Sequence, residues 1–202
     1  MIYGRNKKKG DYMVISNIHI YGLDNSIRGS KFPMITDVNK ATPDTTPTTY
    51  KLAQSAQGAG HDQFLTGVIA QFDLTFTVKA WTEAERYHFL DFISSQSTMH
   101  KISKFDLDNQ YSEYTDKRII DIMNELKDKY NETHDPEDYL RLLYSNPCGF
   151  KLTAAMTTNF RQLKTIYWQR RNHRLPEWRE FCSQLEQIPE FVDIVLGAVL
   201  NA

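Results

Sequence analysis

A basic segment late in the chain carries the side chains best suited to hold a phosphate or a planar base. It covers residues 159–178 and reads NFRQLKTIYWQRRNHRLPEW. It holds five cationic side chains and one acid, Glu177, in a chain whose formal net charge is -1. Guanidinium groups present a rigid fork of donors that fits paired oxygens and base edges. A solvated basic face is the alternative, and composition alone favours it.

The order of apolar residues predicts a helix over residues 159–171. Apolar side chains recur there at three- and four-residue steps: Phe160, Leu163, Ile166 and Tyr167. This spacing places them in one stripe that packs against a core. Arg161 and Arg170 lie off the centre of the stripe, and we expect them to face one cavity together with His61.

The polar residues of this segment occur in an order that resembles a known family. An Asn-x-Arg motif at Asn159 and Arg161 is followed after eight residues by Arg170, and then by a short polar turn ending in Glu-Trp. This order resembles the C-terminal signature of flavin-dependent thymidylate synthase (ThyX). The turn is one residue longer here than in the family, where the segment ends in Ala-Gln-Trp-Glu.

An earlier stretch resembles the same family. The pair Gly60-His61 and the nearby Phe64 precede a strand of the form Phe-x-Phe-x-Val, and residues 70–78 alternate between apolar and polar. This alternation predicts a strand with one buried face, in an antiparallel or mixed sheet. In ThyX this histidine approaches the flavin, so the resemblance implies a cofactor contact for His61. The alternative is a loop imidazole with local hydrogen bonds.

The motif most specific to ThyX, Arg-His-Arg, is absent. Residues 90–92 stand in its place and read Leu-Asp-Phe, within a helix that we predict to start at Thr82 because Glu85 follows at capping-box spacing. The remaining matches to this part of the ThyX pattern are weak: Ser94 or Ser95, Gln96 and Lys101. A different register would supply equivalent contacts from another set: Arg86, His88, His100 and Lys101.

The resemblance spans about residues 15–180 and implies roles for single side chains. His61, Asn159 and Arg161 would contact the flavin of FAD. Arg170 would hold the uracil ring of dUMP and stabilise charge on its carbonyl oxygen, which makes carbon 5 nucleophilic. The other implied nucleotide contacts are Tyr87, Ser95, Lys101, Arg141 and Arg174.

The function implied is that of a ThyX-like flavoenzyme, a thymidylate synthase-like methyltransferase acting on a pyrimidine deoxynucleotide at carbon 5. Its cofactor is FAD, its co-substrates are reduced nicotinamide and methylenetetrahydrofolate, and it forms a homotetramer with sites shared between subunits. The missing Arg-His-Arg motif leaves a second hypothesis open, an inactive fold that binds or sequesters a nucleotide. A third hypothesis is a purely structural oligomer.

The resemblance also implies an α+β fold, a small mixed or antiparallel sheet flanked by helices. With 202 residues, we expect a single domain over residues 13–202 and a loose arm over residues 1–12. A net charge of -1 argues against a partner that is a nucleic acid. The lack of a signal sequence or long apolar span predicts a cytoplasmic protein without a membrane partner.

Other chemistries find little support in the sequence. The histidines lack the paired spacing of a zinc site, and no Gly-rich phosphate loop or serine elbow occurs. Cys148 and Cys182 have apolar neighbours and are predicted to be reduced core residues. Residues 36–59 are rich in Thr, Pro and Ala and predict a long loop.

Overall fold

Four antiparallel strands form one sheet in the computed structural model, which describes residues 14–197 of the chain. The strands are β1 (Ile15–Tyr21), β2 (Ile69–Thr77), β3 (Asp91–Ser95) and β4 (Lys151–Asn159). Their order across the sheet is β1-β2-β4-β3, so β2 and β4 are central and pair along their whole length. The sheet and its flanking helices confirm the predicted α+β architecture.

The described residues contain ten α-helices, among them the helix predicted from periodicity over residues 159–171. They are α1 (Leu23–Ser30), α2 (Pro47–Ala53), α3 (Val78–Ala84), α4 (Thr98–Lys101), α5 (Leu107–Gln110), α6 (Lys117–Thr133), α7 (Pro136–Ser145), α8 (Phe160–Arg170), α9 (Pro176–Leu185) and α10 (Pro189–Phe191). A π-helical turn at Val192–Leu196 follows α10.

The alternation in β2 buries one face of the sheet. Its inward residues are Ala70, Phe72, Leu74 and Phe76, which share one apolar cluster with residues of α8 and α9. The ring of Phe76 lies 4.7 Å from that of Trp178 in an edge contact. Burial of an aromatic side chain of this size contributes roughly 1.5–3 kcal/mol. This core therefore fixes α8 and α9 against the sheet.

The segment after β2 differs from the prediction. The helix does not start at Thr82, because Thr77 already caps α3 by accepting the N–H of Ala80 at 3.2 Å. The residues that follow α3 form the edge strand β3, which pairs with β4. Phe92 in this strand packs on Trp81, with ring centroids 4.9 Å apart. Long-range pairing thus outweighs the local helix signal.

The remaining predictions concern the loop over residues 36–59, the two cysteines and the N-terminal arm. The predicted loop over residues 36–59 contains α2, which starts at a capping box between Thr46 and Thr49. Cys182 is buried as predicted, whereas Cys148 lies in the turn before β4 and is exposed. The predicted arm, residues 1–12, lies outside the described residues. Among residues 14–197, no helix has the length and apolar character needed to cross a bilayer.

Candidate functional site

Strand β4 continues directly into helix α8 at Asn159. Asn159 ends β4 and is also the N-cap of α8, where its side-chain oxygen accepts the N–H of Gln162 at 2.9 Å. Such a cap satisfies one of the N–H groups that a helix start leaves unpaired. The helix predicted from the apolar stripe is confirmed, and its first turn is held rigidly at the end of a central strand.

A buried ion cluster joins the first half of α8 to Asp62. Arg161 donates from Nε to Asp62 Oδ1 at 3.0 Å, and Lys164 donates from Nζ to Oδ2 at 2.7 Å. Lys164 Nζ also donates to the main-chain oxygens of Ala53 at 2.8 Å and Ser55 at 2.7 Å. The side chains of Asp62 and Lys164 are both 4% exposed. The ammonium therefore has an acceptor for each of its three hydrogens, as a buried charge requires.

His61 lies on an exposed loop next to this cluster. It follows Gly60, whose φ of 76° is in the left-handed region that favours glycine, and it precedes Asp62. Because Asp62 bonds to Arg161, the loop is held at the start of α8. The structure thus brings the three predicted flavin contacts to the same end of this helix: His61, Asn159 and Arg161.

Arg170, the predicted catalytic residue, is buried at the other end of α8. Its guanidinium donates from Nε to Tyr87 Oη at 2.7 Å and from Nη1 to Glu83 Oε2 at 3.1 Å. The Tyr87 hydroxyl donates in turn to Gln169 Oε1 at 3.0 Å. The guanidinium carbon lies 4.9 Å from the ring centroid of Trp178, a cation–π contact. Two predicted nucleotide contacts, Arg170 and Tyr87, are therefore bonded to each other.

His173 lies against the same guanidinium group. Its Nε2 is 2.7 Å from Arg170 Nη1 and 3.3 Å from Glu83 Oε2. Its Nδ1 accepts the N–H of Leu175 at 3.2 Å. In a protonated ring Nδ1 would face the N–H of Leu175 and Nε2 would face Arg170 Nη1, both donors, and Glu83 Oε2 would be the one acceptor within reach. Burial and the charge of Arg170 lower the pKa of His173, and the Glu83 carboxylate opposes them only in part.

Glu83 is the acid that balances Arg170. Partial burial raises its pKa, but the hydrogen bond from Lys79 and the positive charges around it outweigh burial and lower the pKa overall. Lys79 Nζ lies 3.1 Å from its carboxylate on the solvent side. Glu83 is therefore ionised at neutral pH, and it neutralises the guanidinium that was predicted to face a nucleotide.

Arg161 and Arg170 project from different sides of α8. Nine residues advance a helix by about two and a half turns, so the two side chains point in roughly opposite directions, about 14 Å apart along the axis. Their partners agree, because Arg161 bonds to Asp62 whereas Arg170 bonds to Glu83 and Tyr87. The described residues of one chain do not form the cavity that both side chains were expected to share with His61.

The other predicted nucleotide contacts are exposed. Ser95 lies in β3, Lys101 ends α4, and Arg174 follows the last turn of α8. Arg141 lies on α7, where its guanidinium is 3.6 Å from Glu137. Within residues 14–197, none of these four side chains is hydrogen-bonded or ion-paired to Arg170. Their roles remain predictions.

Comparison with known proteins gives no match by sequence, since neither a protein-family model nor a curated protein matches the chain. Solved structures do match. The crystal structure of flavin-dependent thymidylate synthase ThyX from Helicobacter pylori complexed with FAD and dUMP has a TM-score of 0.69 at 13% identity, and the match covers 89% of this chain and 100% of that chain. The chain has the ThyX fold. A second Helicobacter pylori ThyX structure with FAD and dUMP agrees, with a TM-score of 0.71 at 12% identity over 91% of this chain and 97% of that one.

Sequence analysis assigned no role to four side chains that hold the two clusters together: Asp62, Glu83, Lys164 and His173. Local signals existed for two of them. Asp62 directly follows the motif histidine, and Lys164 lies one helical turn after Arg161, on the same side of a predicted helix.

Proposed function

We propose that the protein is a ThyX-like flavoenzyme that modifies a dUMP-like pyrimidine deoxynucleotide at carbon 5. FAD would be its cofactor, with a reduced nicotinamide and methylenetetrahydrofolate as co-substrates. Two solved structures with this fold, both of ThyX from Helicobacter pylori, are complexes with FAD and dUMP. A homotetrameric assembly and a cytoplasmic location belong to the same proposal.

The observation that carries the proposal is the bond between Arg161 and Asp62. The two motifs that resemble ThyX lie far apart in the sequence, and residues 62 and 161 are separated by 99 positions. Short motifs that match by chance have no reason to meet in space. Here a charged hydrogen bond of 3.0 Å joins the Gly-His loop to the Asn-x-Arg turn. The arrangement supports one site built from both motifs.

The residues at this end of α8 fit an anionic, hydrogen-bonding cofactor. Arg161 uses Nε for Asp62 while 35% of its side chain stays exposed, so its terminal nitrogens can reach a phosphate group. His61 on the exposed loop adds an imidazole, and Asn159 marks a helix start whose dipole favours negative charge. These three residues would hold FAD. A bound reduced flavin supplies the reducing equivalents that one-carbon transfer to carbon 5 needs.

Arg170 would provide the electrostatic part of the chemistry. A guanidinium aimed at a uracil carbonyl stabilises the negative charge that develops there, and loss of one such donor costs about a hundred- to a thousandfold in kcat. Because Glu83 already holds this guanidinium at 3.1 Å, a nucleotide must compete with an internal carboxylate. The Tyr87 hydroxyl accepts a hydrogen bond from the same guanidinium, so a nucleotide that binds Arg170 would also change the surroundings of this hydroxyl.

Titration of the purified protein with FAD, followed by the flavin absorbance band, tests the proposal. We expect the wild-type protein to bind FAD and Arg161→Ala to bind it about ten- to a hundredfold more weakly, since a charge-assisted hydrogen bond contributes roughly 1.5–3 kcal/mol. Arg118→Ala is the matched control, because Arg118 lies on α6 and its side chain is 87% exposed. Tritium release from dUMP labelled at carbon 5, with reduced nicotinamide and methylenetetrahydrofolate present, then tests the reaction. Wild-type protein that binds no FAD would contradict the proposal that the protein is a flavoenzyme.

A second candidate function, nucleotide binding without reaction, is favoured by the charge around Arg170 and by β3. Glu83 neutralises the guanidinium, and Asp91 stands within the edge strand where ThyX has its basic motif. An acid at this place disfavours the diphosphate of FAD more than the single phosphate of dUMP. This candidate predicts that dUMP raises the melting temperature while FAD does not bind and no tritium is released. Loss of the dUMP effect in Arg170→Met would confirm that the nucleotide occupies this cluster.

A further inference from the structure

One ammonium group holds both ends of the exposed loop that carries His61. Lys164 Nζ donates to Ser55 O at 2.7 Å just before the loop and to Asp62 Oδ2 at 2.7 Å just after it. Residues 56–61, which lie between these two contacts, are all exposed. A third bond of 2.8 Å reaches Ala53 O at the end of α2. The Lys164 side chain thus holds both ends of the loop that connects α2 to Asp62.

The middle of this loop stands clear of the protein body. Gly58 and Gly60 have φ angles of 85° and 76°, and a Cβ placed on either glycine would meet no atom within 4 Å. Two glycines in open space give the loop many accessible conformations. Its position therefore depends on how its ends are held, and both ends are held by Lys164.

We infer that Lys164 is a positioning residue for His61, fixing the loop of residues 56–61 so that the imidazole stands at the FAD-binding end of α8. The inference rests on the proposed function, in which His61 contacts the flavin. Lys164 is 4% exposed and its three donors are engaged, so it acts through the loop and does not touch the cofactor. Asp62 transmits the constraint, because its other oxygen is held by Arg161.

The chemistry of the contact supports positioning over simple packing. Burying an ammonium is costly, and an apolar side chain of the same length would fill the space without that cost. The three hydrogens of the ammonium hold two main-chain oxygens and a carboxylate at once, whereas an apolar side chain holds none of them. The charge is therefore matched to a task of joining chain segments.

Lys164→Met removes the ammonium and keeps an unbranched side chain that is one atom shorter. Thermolysin cleaves peptide bonds on the N-terminal side of apolar residues, so it can cut this loop before Ala56 and before Ala59. We expect cleavage there to become about tenfold faster, because the open state of the loop is more populated. Lys127→Met is the matched control, since Lys127 lies on α6 and its Nζ donates to a single main-chain oxygen, Phe105 O at 3.3 Å. If Lys164→Met alone does not fold, the same assay uses the double variant Asp62→Asn/Lys164→Met, which removes both charges of the buried ion pair.

The affinity for FAD then tests whether Lys164 acts through His61. We expect Lys164→Met to weaken FAD binding about ten- to a hundredfold, as a small displacement of a contact group does. His61→Gln should weaken binding without changing thermolysin cleavage, since it adds no apolar residue to the loop. The double variant should bind FAD no more weakly than the single variant with the lower affinity. Without the imidazole of His61, the loop has no contact group for Lys164 to position.

Two results would overturn the inference: unchanged cleavage of the loop in Lys164→Met, or losses of FAD affinity that add in the double variant. A wild-type protein that binds no FAD would instead refute the proposed function. In that case the cleavage assay, which needs no cofactor, still shows whether Lys164 holds the loop.

Discussion

The carboxylate of Glu83 faces Arg170 in a largely buried contact, and we predict that Glu83→Gln destabilises the fold. The two groups are 3.1 Å apart, with side chains 17% and 10% exposed. Unit charges at about this distance attract by roughly 5 kcal/mol at an effective dielectric constant of about 20. Desolvation of both groups offsets much of this attraction, and glutamine keeps an acceptor for the guanidinium. We therefore expect the free energy of unfolding to fall by about 2 kcal/mol.

Urea and thermal unfolding measure this change. In a chain of this size, about 2 kcal/mol lowers the melting temperature by roughly 4–8 °C. Glu85→Gln is the matched control, since Glu85 is exposed at the end of the same helix and should change stability by less than about 0.5 kcal/mol. Equal melting temperatures for the two variants would refute the conclusion that Glu83 holds Arg170 in a stabilising pair.

Three further predictions concern other groups. Thr77→Val removes a helix cap and the hydroxyl that donates to Glu177 Oε1 at 2.7 Å, so urea denaturation should show a loss of about 2–3 kcal/mol. Because burial lowers the pKa of His173, the unfolded chain binds a proton that the folded site resists. The free energy of unfolding should therefore fall as the pH drops below 6.5, and His173→Gln should flatten that slope. Iodoacetamide should modify exposed Cys148 in the native protein and spare Cys182, whose pKa burial raises to about 12; mass spectrometry that finds Cys182 modified first would contradict this.

Strand β2 and helix α8 could be predicted from the sequence because each buries one face. Alternation in β2 and the stripe of α8 follow directly from that burial. Strand β3 left no such pattern, since all five of its residues are exposed. Its extended form depends on pairing with β4, and the capping-box spacing of Thr82 and Glu85 favoured a helix instead.

The resemblance named motif side chains of the candidate site, whereas some of their partners carry no local signal in the sequence. Glu83 lies 87 positions before Arg170. Two acceptors of Lys164 are main-chain oxygens, those of Ala53 and Ser55, at separations of 111 and 109 positions. A main-chain oxygen has no residue-type signature, so no spacing rule finds it. The folded chain alone shows that a basic helix face is divided between two ion clusters.

That division makes the oligomeric state part of the functional argument. A flavin and a nucleotide that react must lie in contact, yet Arg161 and Arg170 face different partners on different sides of α8. A second subunit that brings its own Arg170 cluster to the Arg161 end of the first would complete one site from two chains. The enzyme proposal therefore requires at least two subunits, which the predicted homotetramer would provide. A monomer in light scattering, under conditions where the protein binds FAD, would contradict the reaction and leave cofactor binding intact.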